Sequence, residues 1–167
     1  MCAMKKLMEL KKRKKNNKGF SLVELIIVIA IMAVLVAVLA PQFLKYVEKS
    51  RNSSDLNNIS AVITAAQTYY ADPNADATTA WPTAENAAVT LTTGAEPAEP
   101  LASALKNAGL TGANITCKSK TAWTNYQIGF YVDSTTNTLK AVVTFTNLSD
   151  TGKATAEKSI GSMATVK

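Results

Sequence analysis

The residue of this 167-residue chain whose chemistry most needs explaining is Glu24. It lies near the start of the stretch KGFSLVELIIVIAIMAVLVAVLAP, Lys18 to Pro41, in which every residue from Leu25 to Ala40 is apolar. An ionisable group within a membrane-length apolar run is costly and by default functional, unless it lies near enough to an end to snorkel into water. Few other residues offer chemistry. The chain has no histidine, which removes the commonest general base, the usual metal ligand and the Ser-His and Cys-His arrangements together. There is no Gly-rich phosphate loop and no evident pair of catalytic carboxylates. No catalytic residue, metal site or cofactor is expected.

The net charge of +6 would ordinarily direct attention to nucleic acid. Its distribution says otherwise. Lys5, Lys6, Lys11, Lys12, Arg13, Lys14, Lys15 and Lys18 against Glu9 give +7 before Gly19, so the chain from Phe20 onward carries −1. Beside an apolar span, such a block reads as a positive-inside flank that holds this end in the cytoplasm. A basic arm for nucleic acid is the alternative; no direct nucleic-acid partner is expected. The two cysteines, Cys2 and Cys117, have no metal-ligand neighbour at CxxC spacing. If the basic segment stays inside or is removed, Cys117 is a lone thiol, expected as a small buried residue in a strand.

Three readings compete for residues 1–41. A secretory signal wants a short apolar core followed by a small-x-small cleavage site, and Val38-Leu39-Ala40 nearly supplies one. Pro41 then falls just after the cut, and Glu24 interrupts the apolar segment. A plain membrane anchor fits the length, since Phe20 to Ala40 is 21 residues, roughly 31 Å of helix against a hydrocarbon core of about 30 Å. It leaves Glu24 to snorkelling.

The third reading joins the residues on both sides of Glu24. Gly19 followed by Phe20-Ser21-Leu22-Val23-Glu24 and a long apolar helix, after a Lys-rich leader, resembles the class III signal of type IV pilins and pseudopilins. The resemblance implies a membrane-embedded prepilin peptidase that cuts after Gly19 and methylates the new amine on Phe20. Residues 1–19 are then the leader, and the apolar helix is retained. Glycine leaves helical geometry readily, so Gly19 suits an accessible backbone at the membrane surface. In a bundle of such helices the Phe20 amine lies in a low-dielectric core, where a buried charge must be paired or neutralised. The expected counterion is Glu24 of a neighbouring subunit.

The remaining sequence supplies what positions this segment. No glycine occurs between Gly19 and Gly94, and Leu56, Ile59, Ile63, Ala66 and Tyr70 recur at helical steps. A membrane and filament-core helix over 20–41 is therefore expected to continue into an amphipathic half over 42–71, about 52 residues or roughly 78 Å in all. Pro41 marks the junction, where the missing amide and ring clash should bend or loosen the helix. Asp72-Pro73-Asn74 stops it.

The region 72–167 is expected to form the head. It opens with an irregular connection holding Trp81 as a packing anchor, followed by a short helix from Pro100 to Ala108 ended by Gly109. Tyr126, Ile128, Phe130 and Val132, then Leu139, Ala141, Val143 and Phe145, alternate on either side of a turn at Asp133 to Asn137. Ile115 and Cys117 suggest a preceding strand, and the tail adds an edge strand near Ser159 to Val166 or stays loosely ordered. The fold class is α+β, a long N-terminal helix packed on an antiparallel sheet, as in the type IV pilin fold. Lacking a second cysteine after the leader, the chain is similar to pilins of Gram-positive, clostridial type.

The resemblance implies a structural subunit of a type IV pilus and no enzyme. Its partners would be other copies of itself in a helical filament, the prepilin peptidase, an assembly ATPase and a platform protein. Before assembly it would sit in the cytoplasmic membrane with its head outside, and afterwards in a surface pilus serving adhesion, motility or DNA uptake. The alternative is a pseudopilin of a type II secretion or competence system, for which Asp133 and Asp150 make a weak calcium loop. A membrane-anchored sensor or enzyme is the reading from a different class.

Overall fold

The computed structural model describes residues 19–75, 79–112 and 115–167. Cys2 and the basic residues up to Lys18, expected above as part of a leader, lie outside the described residues. Two compact units divide the chain, Met1–Phe43 and Leu44–Lys167. In the first, the described residues form the opening of helix α1, which spans Leu22–Ala71 with Pro41 inside it. The helix is long and apolar enough to cross a membrane, and none of its most apolar window is buried by the chain.

In the second unit, the later turns of α1 supply one wall of a core. Leu56, Ile59, Val62, Ile63, Ala65, Ala66 and Tyr69 are buried there. Tyr70, placed on this face by its spacing, is half-buried and donates its hydroxyl to the Asn137 carbonyl at 3.2 Å. Tyr69 takes the interior place instead.

The opposing wall is a four-stranded sheet in the order β1 (Val89–Thr92), β2 (Asn125–Asp133), β3 (Thr138–Thr146), β4 (Thr165–Val166). The β2–β3 hairpin pairs Tyr126 with Phe145, Ile128 with Val143, Phe130 with Ala141 and Val132 with Leu139. All eight side chains are buried, as the period-2 alternation requires of the core face. Asp133 Oδ1 accepts from the Thr135 amide at 2.9 Å, and Asn137 takes φ 50°, so the turn has the residues its geometry wants. Trp81 packs edge-on against Phe130, ring centres 6.0 Å apart.

Helix α2, Leu101–Asn107, ends at Gly109 with φ +70°. The Leu110 amide reaches the Leu105 carbonyl and the Gly109 amide that of Lys106, a Schellman closure. The sheet departs from pure antiparallel pairing at one edge, where β4 runs parallel to β3. The chain reaches that edge through helix α3, Asp150–Ile160, whose Ser149 N-cap accepts from the Gly152 amide. The tail is thus a helix and a two-residue strand, not an extended strand from Ser159.

No strand contains Ile115 and Cys117; the first strand is Val89–Thr92. The amides that follow Cys117 go to carboxylates on α1, so the segment needs no ladder to satisfy them.

Candidate functional site

The segment Gly19 to Glu24 lies in the first unit and is exposed throughout. Phe20 is 87% exposed. A Cβ added at Gly19 would meet nothing within 4 Å, so no contact within the described chain demands glycine there. Any demand for it comes from a partner that must approach the backbone. Helix α1 starts where the Leu25 amide reaches the Ser21 carbonyl at 3.2 Å. The Glu24 carboxylate turns back and accepts from the Ser21 amide at 2.9 Å. Ser21-Leu22-Val23-Glu24 thereby has the spacing of a capping box, with the acid at the third helical position satisfying an amide that the helix leaves open. This local role of Glu24 was legible in the S-x-x-E spacing but absent from the charge-based reading. One carboxylate oxygen is engaged, and the exposed group retains acceptor capacity for an ammonium brought to it.

The flank of Glu24 is apolar and uncovered. Leu22 is 72% exposed, and Val23, Leu25, Ile26, Ile29, Ile31 and Val34 are each more than half exposed. In water such a surface is unstable, since exposed apolar area on this scale marks a membrane or protein contact. What the described residues of the first unit offer is an exposed backbone at Gly19, a carboxylate at the head of a helix and an uncovered apolar surface.

A second constellation, wholly within the other unit, lies on α1 two turns apart. Glu48 accepts from the Lys120 amide at 2.6 Å, the Thr121 amide at 2.8 Å and the Ser119 hydroxyl at 3.0 Å. Burial alone would raise its pKa, but these donors hold it down at about 2. Asp55 is fully buried and accepts from the Lys118 and Ser119 amides at 2.8 and 2.9 Å and from the Trp123 indole at 3.0 Å. Cys117 directs its thiol at the same carboxylate, 3.5 Å away. Burial, then the charge of Asp55, pushes that thiol up to about 11. These contacts fasten 117–123 to the helix by charge-assisted hydrogen bonds; Cys117 is half-buried and in no strand.

Among the described residues no cluster of three or more His, Cys, Asp or Glu could hold a metal ion. An open cleft of about 380 Å³ is lined by Tyr69, Tyr70, Asp72, Trp81 and Asn137, among others.

Residues 14–40 match the family model described as the prokaryotic N-terminal methylation motif. The matched residues contain Gly19, Phe20 and Glu24 and most of the exposed apolar run. No curated protein and no solved structure matches the chain. The motif indicates a type IV pilin-like or pseudopilin-like protein.

Proposed function

We propose that the chain is the structural subunit of a type IV pilus, made as a prepilin and cut after Gly19. The observation that carries the proposal is the apolar opening of α1, entirely uncovered by its own chain, behind a methylation motif with a carboxylate in its first turn. A motif of this kind implies processing by prepilin peptidase and assembly with other copies. The α+β fold, a long helix packed on a four-stranded sheet, agrees with it.

Cleavage removes the basic leader and leaves an amine on Phe20, which the peptidase methylates. In the membrane the apolar helix faces lipid, the head lies outside and Glu24 sits near the cytoplasmic interface. Extraction into a filament, driven by an assembly ATPase and a platform protein, replaces lipid with the helices of neighbours. Packing in that bundle rests on van der Waals contact, because apolar helices gain no hydrophobic energy on leaving lipid. The Phe20 ammonium then requires an opposite charge, and Glu24 of a neighbouring copy supplies it. Pro41 lets the helix adjust there, having no amide for the ladder.

A pseudopilin of a secretion or competence system would share every one of these steps. Electron microscopy of the producing cell decides between them. Thin surface filaments decorated by antibody to the head are expected; a chain that stays in the membrane with no filament at native expression would overturn the pilus assignment.

A further inference from the structure

Helix α1 ends at Ala71 with no basic residue in its last turn. The C-terminal end of a helix carries the negative pole of its dipole, where cations are favoured and carboxylates are not. Asp72 follows directly, exposed, its amide on the Tyr69 carbonyl at 3.3 Å. Negative charge is thus added where the backbone already concentrates it. Asp72 also borders the open cleft of about 380 Å³, a size within the roughly 300–1,000 Å³ of small-molecule sites. Tyr69, Tyr70 and Trp81 bring three aromatic rings to the same lining. Tyr70 and Trp81 are only half-buried, Trp81 in its T-shaped contact with Phe130, so both keep surface that a ligand can touch. Among the described residues that line the cleft, Asp72 is the one that carries a charge, and no lysine or arginine there offsets it.

We propose that this cleft binds a quaternary ammonium of the choline type, its methylated nitrogen against the rings and its charge beside Asp72. Aromatic rings attract a cation through their quadrupole, and grouped rings with a carboxylate suit an alkylated ammonium above all. The polar rim selects against other ligands. Asp72 Oδ1 already accepts from the Asn74 amide at 2.9 Å, and the Asn137 carbonyl from the Tyr70 hydroxyl at 3.2 Å. A primary ammonium brings three N–H donors that each want an acceptor. A quaternary one brings none and asks only for negative charge and apolar contact. A neutral sugar gains nothing from the net field of the helix end and Asp72. Every lining residue lies in the second unit, so the inference goes beyond the filament reading and does not depend on it.

The full-length chain in a polyoxyethylene detergent is titrated with choline chloride replacing NaCl at constant ionic strength. Trp81 reports by its fluorescence, the other tryptophan, Trp123, being fully buried. A saturable change is expected with choline, and binding of ammonium chloride about fivefold weaker or more. Asp72→Asn keeps an oxygen for the Asn74 amide and should weaken choline about fivefold or more. Tyr70→Leu removes a ring and should weaken it about threefold or more, while Tyr70→Phe, which keeps the ring, should stay within about twofold. Should Tyr70→Leu fail to fold, Asp72→Asn decides alone. Glycerophosphocholine titrated alongside separates two sources of the same chemistry: binding at least as tight as choline supports a lipid headgroup, and weaker binding supports free choline. No saturation, an Asp72→Asn affinity equal to that of the native chain, or ammonium bound as tightly as choline would overturn the proposal. Methyl glucoside bound more tightly than choline would overturn it too, assigning the cleft to a saccharide.

Discussion

Replacing Glu24 by Gln separates the helix cap that the structure shows from the counterion role proposed for this residue. The capping contact from the Ser21 amide to Glu24 Oε2, 2.9 Å, survives, because a capping box accepts Glu or Gln at this position. Only the charge is lost. If the role of Glu24 is the cap, Gln is nearly neutral and Ala costs about 0.5–2 kcal/mol. If Glu24 is the counterion of a neighbouring Phe20 ammonium, both substitutions leave a buried cation unpaired, which costs about 3–5 kcal/mol. At 1.4 kcal/mol per decade, that weakens each subunit addition by about a hundredfold or more. Cells making only Glu24→Gln subunits are sheared, filament and membrane fractions are quantified by immunoblot, and the N-terminus of the membrane pool is read by mass spectrometry. The expected result is normal insertion, near-normal cutting after Gly19, and processed subunits accumulating in the membrane with filaments nearly absent. Normal filaments from Glu24→Gln alone would refute the counterion role, and normal filaments with Gln but not Ala would reduce Glu24 to a helix cap.

The head offers independent tests in detergent-solubilised full-length protein. Asp55→Ala strands the Lys118 amide and, in the interior, the Ser119 amide and the Trp123 indole; at about 1–3 kcal/mol for each of the two buried donors, a loss of about 2–6 kcal/mol should appear in urea melts followed by tryptophan fluorescence, and an unchanged midpoint would contradict this fastening. Glu48, held at about 2 against 4.5, contributes stability that is complete above about pH 4.5 and disappears as pH falls through 2. The linked loss is at most about 3 kcal/mol, and Glu48→Gln should flatten this acid limb. Cys117, raised to about 11 from 9.0, should be alkylated at pH 8 about 100-fold more slowly than in the unfolded chain, once Cys2 is gone; equal rates would show the thiol is not held against Asp55.

Where the sequence carried a strong period, the structure follows it. The β2–β3 hairpin was legible because its alternating residues are large, and α2 because Gly109 punctuates it. The tail was not legible: the buried stripe of α3 is Gly152, Ala156 and Ile160, and two of these three are too small to mark a helical face. Gly152 is small for a reason found only in three dimensions, since a Cβ there would come within 2.7 Å of the Ala122 carbonyl. Strand β1 escaped notice because Leu91 is its one buried residue among threonines. Ile115 and Cys117 resemble strand residues, but their neighbours' amides are taken by Glu48 and Asp55, a long-range pairing that no local pattern reveals. Asp55 did carry a hint, being a charge one residue before Leu56 and four before Ile59 on the buried arc. The N-terminal methylation motif was the most legible part, because its signal is linear: glycine, an apolar residue, and an acid at fixed spacing before an unbroken apolar run.

Everything proposed for this chain depends on where it is cut, and intact-mass analysis of sheared surface material with sequencing of its N-terminal peptide tests that most directly. The 167-residue chain less its first 19 residues should be found as a 148-residue protein beginning at Phe20 with a methylated amine, and a bulky residue at Gly19 should block its appearance. A chain that retains the basic leader, or one cut after Ala40 and beginning at Pro41, would contradict the account.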